Sequence, residues 1–456
     1  MTSEAGVAGP SVEAPPRTLR RAIGASAMGN MTEWFDYGVY AYATTYITAE
    51  FFPDNTAATL SVFAVSFVFR PLGGVILGPL GDKLGRKAVL ATTILLMAGA
   101  TFCIGLLPNY DSIGVLAPTL LILLRVVQGF SAGGEYGGAA TFMAEYSPDR
   151  RRGFFGSFLE FGTLAGFTLG ASAVLITSTI VGEQAMTDWG WRIPFLIAAP
   201  LGLVGLYLRS KLEDTPVFQE LESKHEGEKS LKQEFKDLFR DYKRPLLALA
   251  ALVVALNVCN YTLLAYTPTY LQEQLGMAET PALLVVIIGQ VAMMGVISLA
   301  GRLSDRFGRK PMWWVSLVGL FVVAIPMYML MAVNFGLALL AFAVMGVLYV
   351  LQLGTISATF PAMFPTHVRF AGFAIAYNVS TAMFGGTALY ANEALIEATG
   401  SSMVPAYYMM ASCVVGAVGL MFIPETARCS IRGRGVPGID TTCPPYEKEK
   451  VAAASA

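Results

Sequence analysis

At 456 residues, with 55% of them hydrophobic and only 14% charged, the chain falls well short of the roughly 25% charged residues of a soluble globular protein. Its 31 basic and 32 acidic side chains leave a formal net charge of −1, and no nucleic-acid partner is expected. Apolar stretches recur from residue 22 to residue 423, each near or above the roughly 20 residues a helix needs to cross about 30 Å of hydrocarbon. A hydrophobic helix satisfies its own backbone hydrogen bonds in lipid, and the short alternating strands of a barrel are not seen, so an all-α membrane protein is expected.

In chain order, residues 1–21 form a Pro-rich tail. It is not read as part of a cleavable signal, because the first span begins far from Met1 and carries acidic residues in its middle. Spans are predicted near 22–49, 57–80, 88–107, 115–144, 153–181 and 191–209. The polar stretch 210–244, with Lys224, His225, Glu226, Glu228, Lys229, Lys232, Lys236, Asp237 and Arg240, reads as a solvated loop. A second set follows near 245–272, 281–302, 311–333, 336–363, 370–392 and 404–423, and a tail runs over 425–456. The expectation is twelve transmembrane helices in two six-helix pseudo-symmetric bundles, 22–209 and 245–424.

Lys and Arg are retained on the cytoplasmic side of short loops. One set of alternate loops holds Arg20, Arg21, Lys83, Arg86, Lys87, Arg150, Arg151, Arg152, Arg306, Arg309, Lys310 and Arg369, whereas the other holds Asp54, Asp111, Glu183, Asp188, Glu273, Glu279, Glu393 and Glu397, with Arg192 as its basic exception. Both termini are therefore expected in the cytoplasm, and the chain in the inner (plasma) membrane.

A repeat is visible by eye. Gly78, Asp82, Gly85, Arg86 and Lys87 follow the second span; Gly301, Asp305, Gly308, Arg309 and Lys310 follow the eighth, at a constant offset of 223 residues. Glycines permit a tight turn between helices, an Asp can face a helix N-terminus, and an Arg-Lys pair can clamp a carboxylate across the loop. These residues are the candidate cytoplasmic gate. The paired motif resembles the hallmark loop of the major facilitator superfamily, in which it helps hold the cytoplasmic side closed.

Other segments narrow the likeness. Glu33-Trp34-Phe35-Asp36-Tyr37, Phe69-Arg70-Pro71-Leu72-Gly73-Gly74, Gln128-Gly129-Phe130-Ser131-Ala132-Gly133-Gly134-Glu135 and Ala144-Glu145-Tyr146-Ser147-Pro148-Asp149-Arg150 resemble the metabolite:proton symporter family. Asp188-Trp189-Gly190-Trp191-Arg192, Glu213-Asp214-Thr215-Pro216, Pro361-Ala362-Met363-Phe364-Pro365 and Pro405-Ala406-Tyr407-Tyr408 are similar to its proline and glycine betaine branch. The resemblance implies import of a small zwitterion with a proton by alternating access, without a cofactor. A symporter of an organic acid such as 2-oxoglutarate, citrate or shikimate is the alternative, since relatives carrying organic acids share parts of the second set.

The residues point to ion-coupled transport independently of the likeness. An intramembrane charge costs at least about 2.5 kcal/mol, so those that persist are paired or functional. Glu33, Asp36, Arg70, Arg125, Glu135 and Glu160 all lie in the first half. Glu33 or Asp36 is expected to bind the proton with Arg125 as partner, and Glu135 joins this coupling set; protonation would free Arg125 for a substrate carboxylate. A permanent ion pair would use the same residues. Arg70 and Glu160 read as structural.

On helical wheels, Asn30, Glu33 and Tyr37 share a face, as do Arg125, Gln128 and Glu135. A betaine headgroup has no hydrogen-bond donors and is held by aromatic faces, for which Trp34, Tyr37 and Tyr40 are candidates. Asn257, Asn260 and Tyr261 of the seventh span and Tyr377 and Asn378 of the eleventh supply neutral polar contacts from the second half. The substrate-binding set is thus Asn30, Trp34, Tyr37, Arg125, Gln128, Asn257, Asn260, Tyr261 and Asn378. His225 and His367 sit in loops, so carboxylates must carry the proton. Gly129, Gly133 and Gly137, and Gly162, Gly166 and Gly170, repeat every four residues as helix-packing seams. The five cysteines show no metal spacing and no structural disulfide is expected; no catalytic motif or phosphate loop is found, so an ion gradient is the expected energy source and the chain is not read as an enzyme. Glycines and prolines after Thr426 break any heptad pattern, so no C-terminal coiled coil is expected.

Overall fold

The structure is a computed structural model that describes residues 16–53, 55–84, 86–210, 238–365, 368–431, 436 and 439. Among these residues helix is the only regular element, and it forms twelve passes. In the first half, α1 is Pro16–Tyr42 continued by Thr44–Phe51, α2 is Thr56–Val68 with Arg70–Leu84, and α3 is Arg86–Ile104. Then come α4, Leu116–Ala132 with Glu135–Tyr146, α5, Arg152–Val181, and α6, Arg192–Leu196 with Ala198–Ser210. In the second half, α7 starts as Lys243–Asn260 and runs on through π-helical turns at Tyr261–Tyr266 and Tyr270–Gln274. It is followed by α8, Glu279–Phe307, α9, Arg309–Met331, α10, Phe335–Leu353 with Ile356–Thr359, α11, Arg369–Phe384 with Thr387–Thr399, and α12, Val404–Met421.

Eight of these (α2, α4, α5, α7 to α10 and α12) are long and apolar enough to cross a membrane on their own, and α6 with the short helical run before it makes a ninth across a 48° bend. The other three have local reasons to fall short. α1 carries Asn30, Glu33 and Asp36, α3 has an apolar stretch of only Ala91–Ile104, and α11 breaks at Gly385 and Gly386, where a Cβ would run into Tyr261 of α7 and Phe67 of α2. Outward faces are apolar, with Ile180, Leu203, Val322 and Met329 each exposed by more than half, while Arg70, Arg125, Arg152, Arg309 and Arg369 are buried inside. That is the inversion a lipid solvent requires.

Within the first half α1 lies along α5 and α6, α2 along α4, and α3 along α4 and α6; within the second, α7 lies along α11 and α12, α8 along α10, and α9 along α10 and α12. The halves meet chiefly where α5 packs on α8 and α2 on α11. Advancing each label by six turns one pairing into the other, so the interface carries the same pseudo-two-fold as the repeat. Glycines bring the helices this close: a Cβ at Gly162, Gly166 or Gly170 would strike the backbone of α1 at Ala27, Met31 and Val39, and one at Gly129 or Gly133 would strike α2 at Ser66 and Arg70. Gly137, by contrast, makes an ordinary contact with Ala374 of α11.

Residues 211–237, which hold most of the expected central loop, lie outside the described residues, as do residues 1–15 and His367. Among the described residues the free thiols are Cys103, Cys259 and Cys413. Cys429 is disulfide-bonded, which corrects the expectation of no disulfide: residues 425–431 fold back onto the helix ends instead of trailing as a free tail.

Candidate functional site

Midway through the bundle, where the halves face each other, a small cavity is lined by Trp34 of α1, Tyr136 of α4, Glu160 and Thr163 of α5, Leu256, Asn257 and Asn260 of α7, Tyr349 and Leu353 of α10, Ile356 in the short second helix of α10, and Tyr377 of α11. Four of these side chains are aromatic. Tyr136 and Tyr377 stack across the two halves, with ring centroids 4.5 Å apart at 15°. Asn257 Nδ2 donates to Thr381 Oγ1 at 2.9 Å, and Tyr349 OH donates to Asn260 Oδ1 at 2.8 Å. The Glu160 carboxylate accepts from Tyr136 OH at 2.5 Å and from Thr163 Oγ1 at 2.9 Å. No Lys or Arg is among the lining residues. The free space is about that of one water molecule, so a solute enters only if the walls part.

Behind the Trp34 wall lie the charges. Glu33 Oε1 accepts from Arg70 Nη2 at 2.7 Å, and Arg70 also donates from Nε to Tyr37 OH at 3.3 Å and lies over the rings of Tyr37 and Phe67. Arg70, read as structural, is therefore the partner of Glu33; the two residues are 37 apart in sequence, and only the packing of α2 on α1 joins them. Asp36 is buried with neither carboxylate oxygen hydrogen-bonded. Arg125 is buried too: it lies 3.9 Å from the centroid of the Tyr40 ring and donates Nη1 to Gln128 Oε1 at 2.9 Å, while its Nε and Nη2 find no hydrogen-bond partner. Gln128 passes the contact on, donating to Thr101 Oγ1 at 2.6 Å. Glu135 sits at the start of the second helix of α4, accepting from the Thr93 hydroxyl.

Of the expected substrate contacts, Trp34, Asn257 and Asn260 line the cavity. Tyr37 and Tyr261 stand one layer back, their rings 5.8 Å and 6.0 Å from Trp34. Asn30 donates to Leu159 O and Thr163 Oγ1 and accepts from Trp34 Nε1 at 3.1 Å, so it positions two lining side chains. Arg125 and Gln128 do not line the cavity, and Asn378 donates to Gly133 O at 3.0 Å, tying α11 to α4. Tyr377, expected as a polar contact from the eleventh span, also lines the cavity, with Glu160, Tyr136 and Tyr349; a lone Tyr such as Tyr136 or Tyr349 in an apolar span carries no signal in the sequence, whereas Glu160 was marked by its charge.

Both ends of the cavity are closed. At the end bearing the basic loops, Asp305 accepts from the backbone N–H groups of Gly153 and Phe154, both at 2.8 Å, at the start of α5 in the other half. Arg309 Nη2 donates to the same carboxylate at 2.6 Å, and Gly308, with φ at +108°, makes the turn between α8 and α9. Arg369 of α11 pairs with Glu145 of α4 at 3.1 Å. Glu425 accepts from the N–H groups of Arg309 and Lys310, capping α9, and Lys310 Nζ donates to Ile423 O. Beyond it, Arg152 holds Cys429 O and Arg369 holds Ile431 O. Of the first copy of the motif, Gly85 lies outside the described residues, and so do the side chains of Asp82, Arg86 and Lys87 in the segment that begins at Gly78. At the acidic end, Tyr46 donates to Glu279 at 2.6 Å, Tyr42 to Leu264 O at 2.7 Å, and Gln290 to Tyr42 OH at 2.8 Å. Each bond joins the two halves. The state is occluded.

Among the described residues no three His, Cys, Asp or Glu side chains converge as a metal site. The family model described as Major Facilitator Superfamily matches residues 26–391. The proline/betaine transporter of Escherichia coli (strain K12) is 46% identical over 427 residues, 91% of this chain and 85% of that protein. The ectoine/proline transporter of Corynebacterium glutamicum is 41% identical over 444 residues, 94% of this chain and 88% of that protein. Among solved structures, the proton:xylose symporter XylE bound to 6-bromo-6-deoxy-D-glucose superposes with a TM-score of 0.72 at 16% identity, covering 92% of this chain and 98% of that one, which is a likeness of fold.

Proposed function

This chain belongs to the major facilitator superfamily, and we propose that it imports a small zwitterionic osmolyte, glycine betaine or proline, together with a proton. The observation that carries the reading is the cavity wall: Trp34, Tyr136, Tyr349 and Tyr377 beside one carboxylate, with no basic side chain. Ring faces attract a cation that has no donors to offer, and the amides of Asn257 and Asn260 in the opposite half meet the carboxylate end of a zwitterion. A dianionic organic acid would find Glu160 and no Lys or Arg there. The relatives whose names include betaine, proline and ectoine support the same substrate class.

For coupling, the two candidate carboxyls stand apart. Glu33 is committed to Arg70, and removing its charge would strand a buried guanidinium. Asp36 has no hydrogen bond in the occluded state, so here it is the group that carries the proton, and Arg125, with two nitrogens unbonded, takes its charge after release. Asp36 and Trp34 share α1, so a pull on one moves the wall of the cavity at the other. Arg125 thus acts from behind the wall and not on the substrate carboxylate itself. The proton gradient of the inner membrane drives the cycle, with the basic loops and both termini in the cytoplasm.

The test is uptake of labelled glycine betaine, proline and 2-oxoglutarate into proteoliposomes with an imposed proton gradient, for wild type and Asp36→Asn. Gradient-driven uptake of betaine or proline is expected, with Asp36→Asn retaining exchange of preloaded substrate but losing accumulation. Uptake of 2-oxoglutarate alone would overturn the substrate class; accumulation unchanged in Asp36→Asn would overturn the assignment of the proton.

A further inference from the structure

Glu160 is a carboxylate in the cavity wall, 2% exposed, with two neutral partners and no basic residue beside it in that wall. Two other buried carboxylates are answered by a guanidinium, Glu33 by Arg70 and Asp305 by Arg309. A buried carboxylate without a cation is costly to keep, and a cavity that opens to a cationic cargo supplies one. Its remaining capacity is specific. A carboxylate has about four lone-pair sites, of which Tyr136 OH occupies one on Oε1 and Thr163 Oγ1 one on Oε2. Each oxygen therefore keeps room for one further donor.

The possible cargoes differ in that respect. A secondary ammonium, as in proline, carries two N–H groups, one for each Glu160 oxygen. A trimethylammonium carries none and relies on the ring faces of Trp34, Tyr136 and Tyr377, to which the methylation state of the nitrogen matters little. Resting on the zwitterion reading above, we propose that Glu160 is the specificity-determining residue of the cavity: it binds the N–H groups of the cargo's ammonium and sets the preference for proline-like over fully methylated substrates. Tyr136 extends this role. It donates to Glu160 and stacks on Tyr377 of the other half, so the carboxylate is oriented by a contact that the closing of the halves completes.

The experiment compares wild type, Glu160→Gln and Glu160→Asp in proteoliposomes, measuring the KM for glycine betaine uptake and the Ki of unlabelled proline against it. Thermal-shift titrations of the purified proteins with each compound read binding where uptake is lost. Charge-assisted hydrogen bonds are the strong ones, so Glu160→Gln is expected to raise the proline constant about tenfold or more relative to betaine, with Glu160→Asp between. Proline and betaine constants that move together, or a ratio within about threefold of wild type, would overturn the proposal and leave Glu160 a packing residue. Wild-type protein that binds neither compound would instead defeat the zwitterion reading, and this proposal with it.

Discussion

Replacing Asp305 by Ala removes the acceptor for two N–H groups at the start of α5 and the partner of the Arg309 guanidinium, while leaving both half-bundles intact. Hydrogen bonds to a charged group contribute about 1.5–3 kcal/mol each when buried, and loss of an N-terminal acceptor costs about 1 kcal/mol. Asp305 is 9% exposed and lies at an end where water can reach the freed groups once the halves part, so the net loss for the set is about 2–3 kcal/mol. Because the bonds to Gly153 and Phe154 cross between halves, that loss falls on the state closed at the basic end and moves its balance with the open state by about 30- to 150-fold. Pulsed EPR distances between labels at the exposed positions Arg151 and Phe239, one on each half, read this directly. A shift of the distribution to longer distances is expected in Asp305→Ala, with Asp305→Asn intermediate because one oxygen remains. Distributions superimposable on those of unsubstituted protein would refute the reasoning, since the carboxylate would then hold nothing that opening must break.

Two further outcomes test the packing and the cage. A Cβ at Gly166 would lie 2.5 Å from Met31 O and 2.8 Å from Trp34 Cβ, so Gly166→Ala should cost about 1–3 kcal/mol and Gly166→Leu should prevent assembly; an unchanged melting temperature for Gly166→Ala would mean that the seam gives way freely. Trp34→Ala should raise the KM for betaine about tenfold while Trp34→Phe stays within a few-fold, and equal losses in both variants would assign Trp34 to packing instead of to the cation.

Architecture was legible in the sequence because lipid imposes a coarse rule: stretches of about 20 apolar residues and basic loops on one side are read without knowing which helix touches which. The repeat at 82 and 305 added a fact about space, since an offset shared by two loops places them at one end of two similar bundles. What escaped was decided between helices. Wheel positions put Asn30 and Tyr37 on the face of Glu33, yet Asn30 is spent on Leu159 and Thr163 of α5 and Tyr37 on Arg70 of α2. Arg125 stood out as the natural partner for a carboxylate of α1, but the guanidinium that pairs with Glu33 comes from α2, against which α4 packs closely through Gly129 and Gly133. Glu160 was visible as a charge; that it faces a cavity follows from the glycine stripe of α5 packing on α1, which leaves another face of that helix to the cavity.

The segment after α12 has a mechanical consequence. Arg152, in the first half, holds the carbonyl of Cys429, and Arg369, in the second, holds that of Ile431. Two residues of fully extended chain reach about 7 Å, so once the two guanidiniums are drawn apart beyond that slack, one grip must let go. The strand behaves as a fuse of known length laid across a hinge. Its release marks a threshold in the opening of that face, which small breathing motions of the bundle leave uncrossed.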